Sequence, residues 1–114
     1  MQPELVPRGV AAFADFLVGL RLHFLACVAQ QLALRVDQYL AQQDVRGIVI
    51  THGTDTLEET AYFLLSVLPI AALARKPVVL TCAMRPASAL APDGPQNLLD
   101  AVAVALTPGA RSVT

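Results

Sequence analysis

The sequence predicts an α/β fold, a parallel sheet with helices on both faces, and three observations carry that prediction. Two short β-branched runs, Ile48-Val49-Ile50-Thr51 and Val78-Val79-Leu80-Thr81, are apolar without polar alternation, as strands buried on both faces are. Each is followed by a polar loop and then by a stretch with helical periodicity, the order of a parallel sheet covered by helices. The composition suits deep burial: 55% of the 114 residues are hydrophobic and 15% charged, with mean hydropathy +0.56. That mix excludes a disordered chain, and the length fits one domain.

From Phe16 to Leu34 the chain reads FLVGLRLHFLACVAQQLAL, long enough to span a bilayer. Arg21, His23, Gln30 and Gln31 interrupt it, and a charge near the centre of a span costs about 2.5–3.5 kcal/mol, so a membrane span is not expected, and membrane association through residues 16–34 stands only as a third reading. No cluster of positive charge precedes the run, which argues against a signal peptide. Residues 1–31 are expected to be a helical apolar segment with no assigned role. Leu32, Arg35, Val36, Tyr39 and Leu40 recur at helical spacing, predicting an amphipathic helix that leads to Gln42 and packs on a sheet.

Asp44-Val45-Arg46-Gly47 then forms a turn-like approach to the first strand. After that strand and the loop from His52 to Thr56, Leu57 to Leu65 reads as a helix that Pro69 ends or lies just beyond. Thr56 with Glu59 predicts a capping box, and Glu58 and Glu59 sit where the helix dipole favours acids. Lys76-Pro77 introduces the second strand. A proline-rich loop runs from Arg85 to Pro95, with Asp93-Gly94-Pro95 as a turn, and Gln96 to Leu106 reads as a helix stopped by Pro108 and Gly109.

Charge and cysteine usage exclude several classes of function. The net charge is −1 and the pI about 6.0, so there is no basic footprint for nucleic acid. Cys27 and Cys82 make no disulfide framework, and with His23 and His52 they lack the spacing of a metal site. No glycine-rich phosphate loop occurs. Ligands of parallel sheets bind at loops leaving the carboxyl ends of strands, which makes Thr51–Thr56 and Thr81–Pro95 the candidate ligand loops.

His52-Gly53-Thr54-Asp55-Thr56 is the most concentrated polar cluster in this apolar chain. Gly53 lets a backbone approach a ligand, Thr54 offers a hydroxyl, and the Asp55 carboxylate can hold an ammonium group or orient a base. The N–H groups at the helix start can receive an anion or a developing oxyanion. The competing reading is that Thr54, Asp55 and Thr56 only cap the helix. His52, at a strand end, is expected to be hydrogen-bonded structure.

Gly47-Ile48-Val49-Ile50-Thr51-His52-Gly53-Thr54-Asp55-Thr56-Leu57-Glu58-Glu59-Thr60-Ala61-Tyr62-Phe63-Leu64 resembles the second signature of bacterial-type L-asparaginases. Lys76 to Pro86, read as KPVVLTCAMRP, resembles the following strand and loop, and Asp93 to Ala101, DGPQNLLDA, the stretch after it. The likeness runs from about Leu32 to Leu106. It implies that residues 32–114 are a fragment of that family's N-terminal domain, a partial Rossmann-like αβα unit. The implied chemistry is hydrolysis of the side-chain amide of L-asparagine, and in some members L-glutamine, by threonine-dependent catalysis without metal or cofactor.

In the family a threonine of an N-terminal Thr-Gly-Gly-Thr motif is taken as the nucleophile. The resemblance makes Thr54 and Asp55 catalytic residues: Thr54 helps activate the nucleophile or water, and Asp55 binds the substrate α-ammonium. Gly53 and the Ala83 backbone would line the substrate pocket with them. The resemblance further implies a homo-oligomer, and with no signal peptide recognised a cytoplasmic location is expected. This sequence departs from the family in having no Thr-Gly-Gly-Thr motif, in ending before the catalytic lysine, and in placing Cys82 where glycine is usual. Lys76 matches the structural Lys-Pro, not the catalytic lysine. The chain alone is therefore expected to be inactive, and the alternative is a non-catalytic remnant or amino-acid-binding module.

Overall fold

The computed structural model describes residues 23–114. In chain order the elements are α1 (His23–Leu40), β1 (Ile48–Thr51), α2 (Leu57–Val67), the short α3 (Ile70–Leu73), β2 (Pro77–Thr81), α4 (Gly94–Leu106) and β3 (Ser112–Val113). The strands form one parallel sheet in the order β1-β2-β3, with Ile48 opposite Val78 and Thr51 opposite Thr81. The α/β fold and parallel sheet are those the sequence predicts. Residues 1–22 of the apolar N-terminal segment lie outside the described residues. Its remainder belongs to α1, which runs unbroken past residue 32. Among the described residues no helix is long and apolar enough to cross a membrane.

Helices cover both faces because β2 is apolar on both. Val78 points into a cluster with Ala33, Val36 and Leu40 of α1, Phe63, Leu64 and Val67 of α2, and Leu73 of α3. Val79, one residue on and therefore on the opposite face, is buried outside that cluster, as is Ala101 of α4, which lies on β1 and β2. On α1 the buried positions are Ala33, Val36 and Leu40, whereas Tyr39 is 47% exposed. The periodicity is helical as expected, but its inward stripe passes beside Tyr39 rather than through it.

Three local features fix the strands. Gly47 stands where the start of β1 meets β2 and α4: a Cβ there would lie 3.0 Å from Pro77 Cγ and 3.4 Å from the Ala105 carbonyl oxygen. Lys76 donates from Nζ to the carbonyls of Leu40 (2.8 Å) and Gln42 (2.5 Å), a cation at a helix C-terminus where the dipole favours it. Beyond α4, Gly109 takes φ +83° and turns the chain back. β3 then docks on β2, with Thr114 N–H donating to Val78 O and Leu80 N–H to Thr114 O. Neither α3 nor β3 is foreseen from the sequence. Pro69 does not merely end a helix but occupies the N-cap of α3.

Candidate functional site

Because Thr51 and Thr81 are register partners, the loops after β1 and β2 leave the sheet side by side. The His52 N–H carries the pairing one residue further by donating to Thr81 O at 2.9 Å. The strand ends thus set the loop that carries Thr54 and Asp55 beside the loop that carries Ala83, at the end of the sheet where α/β proteins bind ligands.

In the first loop the His52 ring is structural, as expected. Its Nδ1 lies 2.7 Å from the Gly53 carbonyl, which can only accept, so this nitrogen carries a proton. In the neutral ring Nε2 then accepts from Thr60 Oγ1 at 2.9 Å, tying the loop to α2. Gly53, Thr54 and Asp55 are exposed. The side chains of Thr54 and Asp55 make no hydrogen bond with a described residue, so both are open to a ligand. The capping reading of these residues is not realised. The expected capping box is also absent: Thr56 is the N-cap of α2, but at φ −131°, ψ 23° its side chain makes no cap bond. Glu58 and Glu59 do occupy the first turn.

The second loop is organised by two residues that sequence reasoning read only as turn and helix start. Asp93 is the N-cap of α4, yet its side chain makes no cap bond. Instead Oδ2 accepts the Met84 N–H and Oδ1 the Arg85 N–H, both at 2.9 Å. Asn97, one turn into α4, donates from Nδ2 to the Cys82 carbonyl at 2.9 Å and to Asp93 Oδ2 at 3.3 Å. The spacing Asp-x-x-x-Asn across a helix start was the available signal, but nothing in it tells which way the carboxylate turns.

The Met84 N–H, then that of Arg85, holds the Asp93 carboxyl below its ordinary value. A carboxyl depressed on folding contributes stability that is fully present above its unfolded value and lost as pH falls through the lower folded value. The loop should therefore hold its geometry on acidification through the ordinary aspartate value of about 3.9 and release only below it. Amide resonances of Met84 and Arg85 followed through an acid titration check this; release above that value would contradict it.

At the opposite end of the sheet a cavity of about 360 Å³ is lined in part by Arg46, Arg75, Lys76 and Pro77. Its Lys76 ammonium is held by the Leu40 and Gln42 carbonyls and its Arg75 Nε donates to Ala71 O, so these cations are engaged as structure. Among the described residues, no three His, Cys, Asp or Glu side chains converge.

Comparison with known proteins agrees with this topology. Residues 24–113 match the family described as Asparaginase, N-terminal. The chain is 53% identical over 81 residues to L-asparaginase 2 of Bacillus subtilis, covering 71% of this chain and 20% of that protein. It is 51% identical over 81 residues to the glutaminase-asparaginase of Pseudomonas fluorescens, covering 71% of this chain and 21% of that one. The crystal structure of a probable cytoplasmic L-asparaginase from Campylobacter jejuni superimposes with TM-score 0.64 at 46% identity, over 73% of this chain and 25% of that one. The chain thus spans about a fifth of the length of these curated relatives. With most of its residues matched and the strand-end loops in register, the chain belongs to the asparaginase N-terminal family.

Proposed function

We propose that this chain supplies one wall of an asparaginase-like amidohydrolase site that cleaves the side-chain amide of L-asparagine by threonine-dependent chemistry. The observation that carries this reading is the pair Thr54-Asp55, exposed and unengaged, on a loop beside the Ala83 loop in a chain about half identical to L-asparaginases. The Asp55 carboxylate binds the substrate α-ammonium, Gly53 leaves the loop open, and Ala83 offers backbone groups from the adjacent strand end. Thr54 helps to activate the attacking group. Over the whole reaction water adds to the amide carbon, the C–N bond breaks, and L-aspartate and ammonia leave. The glutaminase-asparaginase relative supports L-glutamine as a second substrate.

The 114 residues hold no Thr-Gly-Gly-Thr motif, and Lys76 sits at the far end of the sheet, bonded to the last carbonyl of α1. Removing a nucleophile leaves only the rate that binding and oxyanion contacts supply. The purified chain should accordingly release no ammonia from L-asparagine above Thr54→Ala and Asp55→Ala controls. Release that both substitutions abolish would overturn the expected inactivity and reveal a complete site. A folded chain that binds L-asparagine without hydrolysing it would favour the amino-acid-binding alternative.

The full protein is proposed to be a cytoplasmic homo-oligomer, which the Campylobacter neighbour's description supports for the compartment. Leu99 and Leu106 of α4 are 65% and 63% exposed and Ile70 84%, apolar area that favours association. Sedimentation velocity should show the isolated chain larger than a monomer; a monodisperse monomer would refute this.

A further inference from the structure

We infer that Asp93 and Asn97 form a positioning pair that fixes the backbone of Ala83 for ligand binding, an inference that rests on the functional reading above. Their bonds bracket Ala83 on both sides. Asn97 Nδ2 holds the carbonyl of Cys82 just before it, and Asp93 holds the N–H groups of Met84 and Arg85 just after it. The Ala83 N–H and C=O themselves make no hydrogen bond with a described residue, so they are free for a ligand. Both clamping residues stand at the start of α4, a helix packed on β1 and β2, so the loop is referred to the rigid sheet.

This arrangement is more than helix capping. An N-cap aspartate ordinarily accepts from the second or third helical N–H. Here Pro95, in the first turn, has no N–H to give, and both carboxylate oxygens turn back into the loop. The Asn97 amide bonds Asp93 Oδ2 while holding Cys82, which couples the two halves of the clamp. A backbone held this way is preorganised: the ligand need not order it.

The test uses the 15N-labelled full chain, with L-aspartate as the probe because it cannot be deamidated. Asp93→Asn preserves size but sets an NH2 against one of the two backbone donors. Amide exchange at Met84 and Arg85 should rise about tenfold or more while Val78, Val79 and Leu80 stay protected. The shared acid titration of the Met84 and Arg85 shifts should disappear, and L-aspartate should bind about tenfold more weakly. Unchanged exchange at Met84 and Arg85 would overturn the proposal, and so would raised exchange with unchanged affinity. Wild-type chain that binds no L-aspartate but shows the exchange effect would support the clamp and sink the functional reading instead. Should Asp93→Asn also lose β2 protection, Asn97→Ala, which removes the bonds to the Cys82 carbonyl and to Asp93 Oδ2, is read by the same criteria at Met84 and Arg85.

Discussion

In a chimera where the 81 matched residues of this chain replace their counterparts in Bacillus subtilis L-asparaginase 2, Thr54→Ala should lower kcat by about 10²–10⁴-fold. The KM for L-asparagine should move far less. The host supplies the parts that these 114 residues lack, so the chimera isolates the contribution of the Thr54 loop. Thr54 is exposed, so removing its hydroxyl should leave the fold intact, and a lost rate then reports chemistry. Asp55→Ala should act chiefly through KM, raising it roughly 10–100-fold, the worth of a charge-assisted hydrogen bond to the α-ammonium. Steady-state ammonia release separates the two effects. A chimera whose Thr54→Ala variant keeps full rate would overturn the catalytic role, and a chimera dead before mutation would favour the remnant reading.

Leu64→Ala should destabilise the chain by about 2–5 kcal/mol, a large share of the roughly 5–15 kcal/mol that holds a native domain together. Leu64 has no exposed surface and sits where α2 meets the cluster formed with α1 and Val78 of the central strand. Truncation leaves a cavity that neighbours on three elements cannot all relax to fill. The change should appear as a lower urea midpoint with an unchanged denaturant slope. By contrast Leu65→Ala, at a position 47% exposed on the same helix, should cost far less, and equal losses at the two sites would contradict the packing described.

The parts of the fold with strong local signals were legible. β1 and β2 were plain because strands covered on both faces read as unbroken β-branched runs, and α4 because Pro108 and Gly109 bound a clean period. β3 was invisible: Ser112 and Val113 carry no pattern in so short a run, and only the β2 edge recruits them. α3 was missed because Pro69 is equally a stop for α2 and a start for another helical turn. For the candidate site, the sequence marks both strand-end loops, which the structure sets side by side, with Thr54 and Asp55 in the first; Ala83 comes only from the family resemblance. It overread Thr56-Glu59, since a capping box needs an extended N-cap backbone that Thr56 does not adopt. It underread Asp93, whose role depends on a loop folding back onto it, a long-range event that no local spacing encodes.

Among the described residues the spatial order β1-β2-β3 repeats the order along the chain, and no strand is inserted between two earlier ones. Each pairing joins segments about one βα unit apart, Ile48 with Val78 and then Pro77 with Ser112. During synthesis, therefore, each of these strands leaving the ribosome after β1 meets a neighbour already made, and the sheet can grow by accretion in one direction. On that route β1 and α2 would be the template for β2, and β2 for β3. In such vectorial assembly the strand-end loops that carry Thr54 and Ala83 are set side by side once β2 has docked, before β3 adds to the edge.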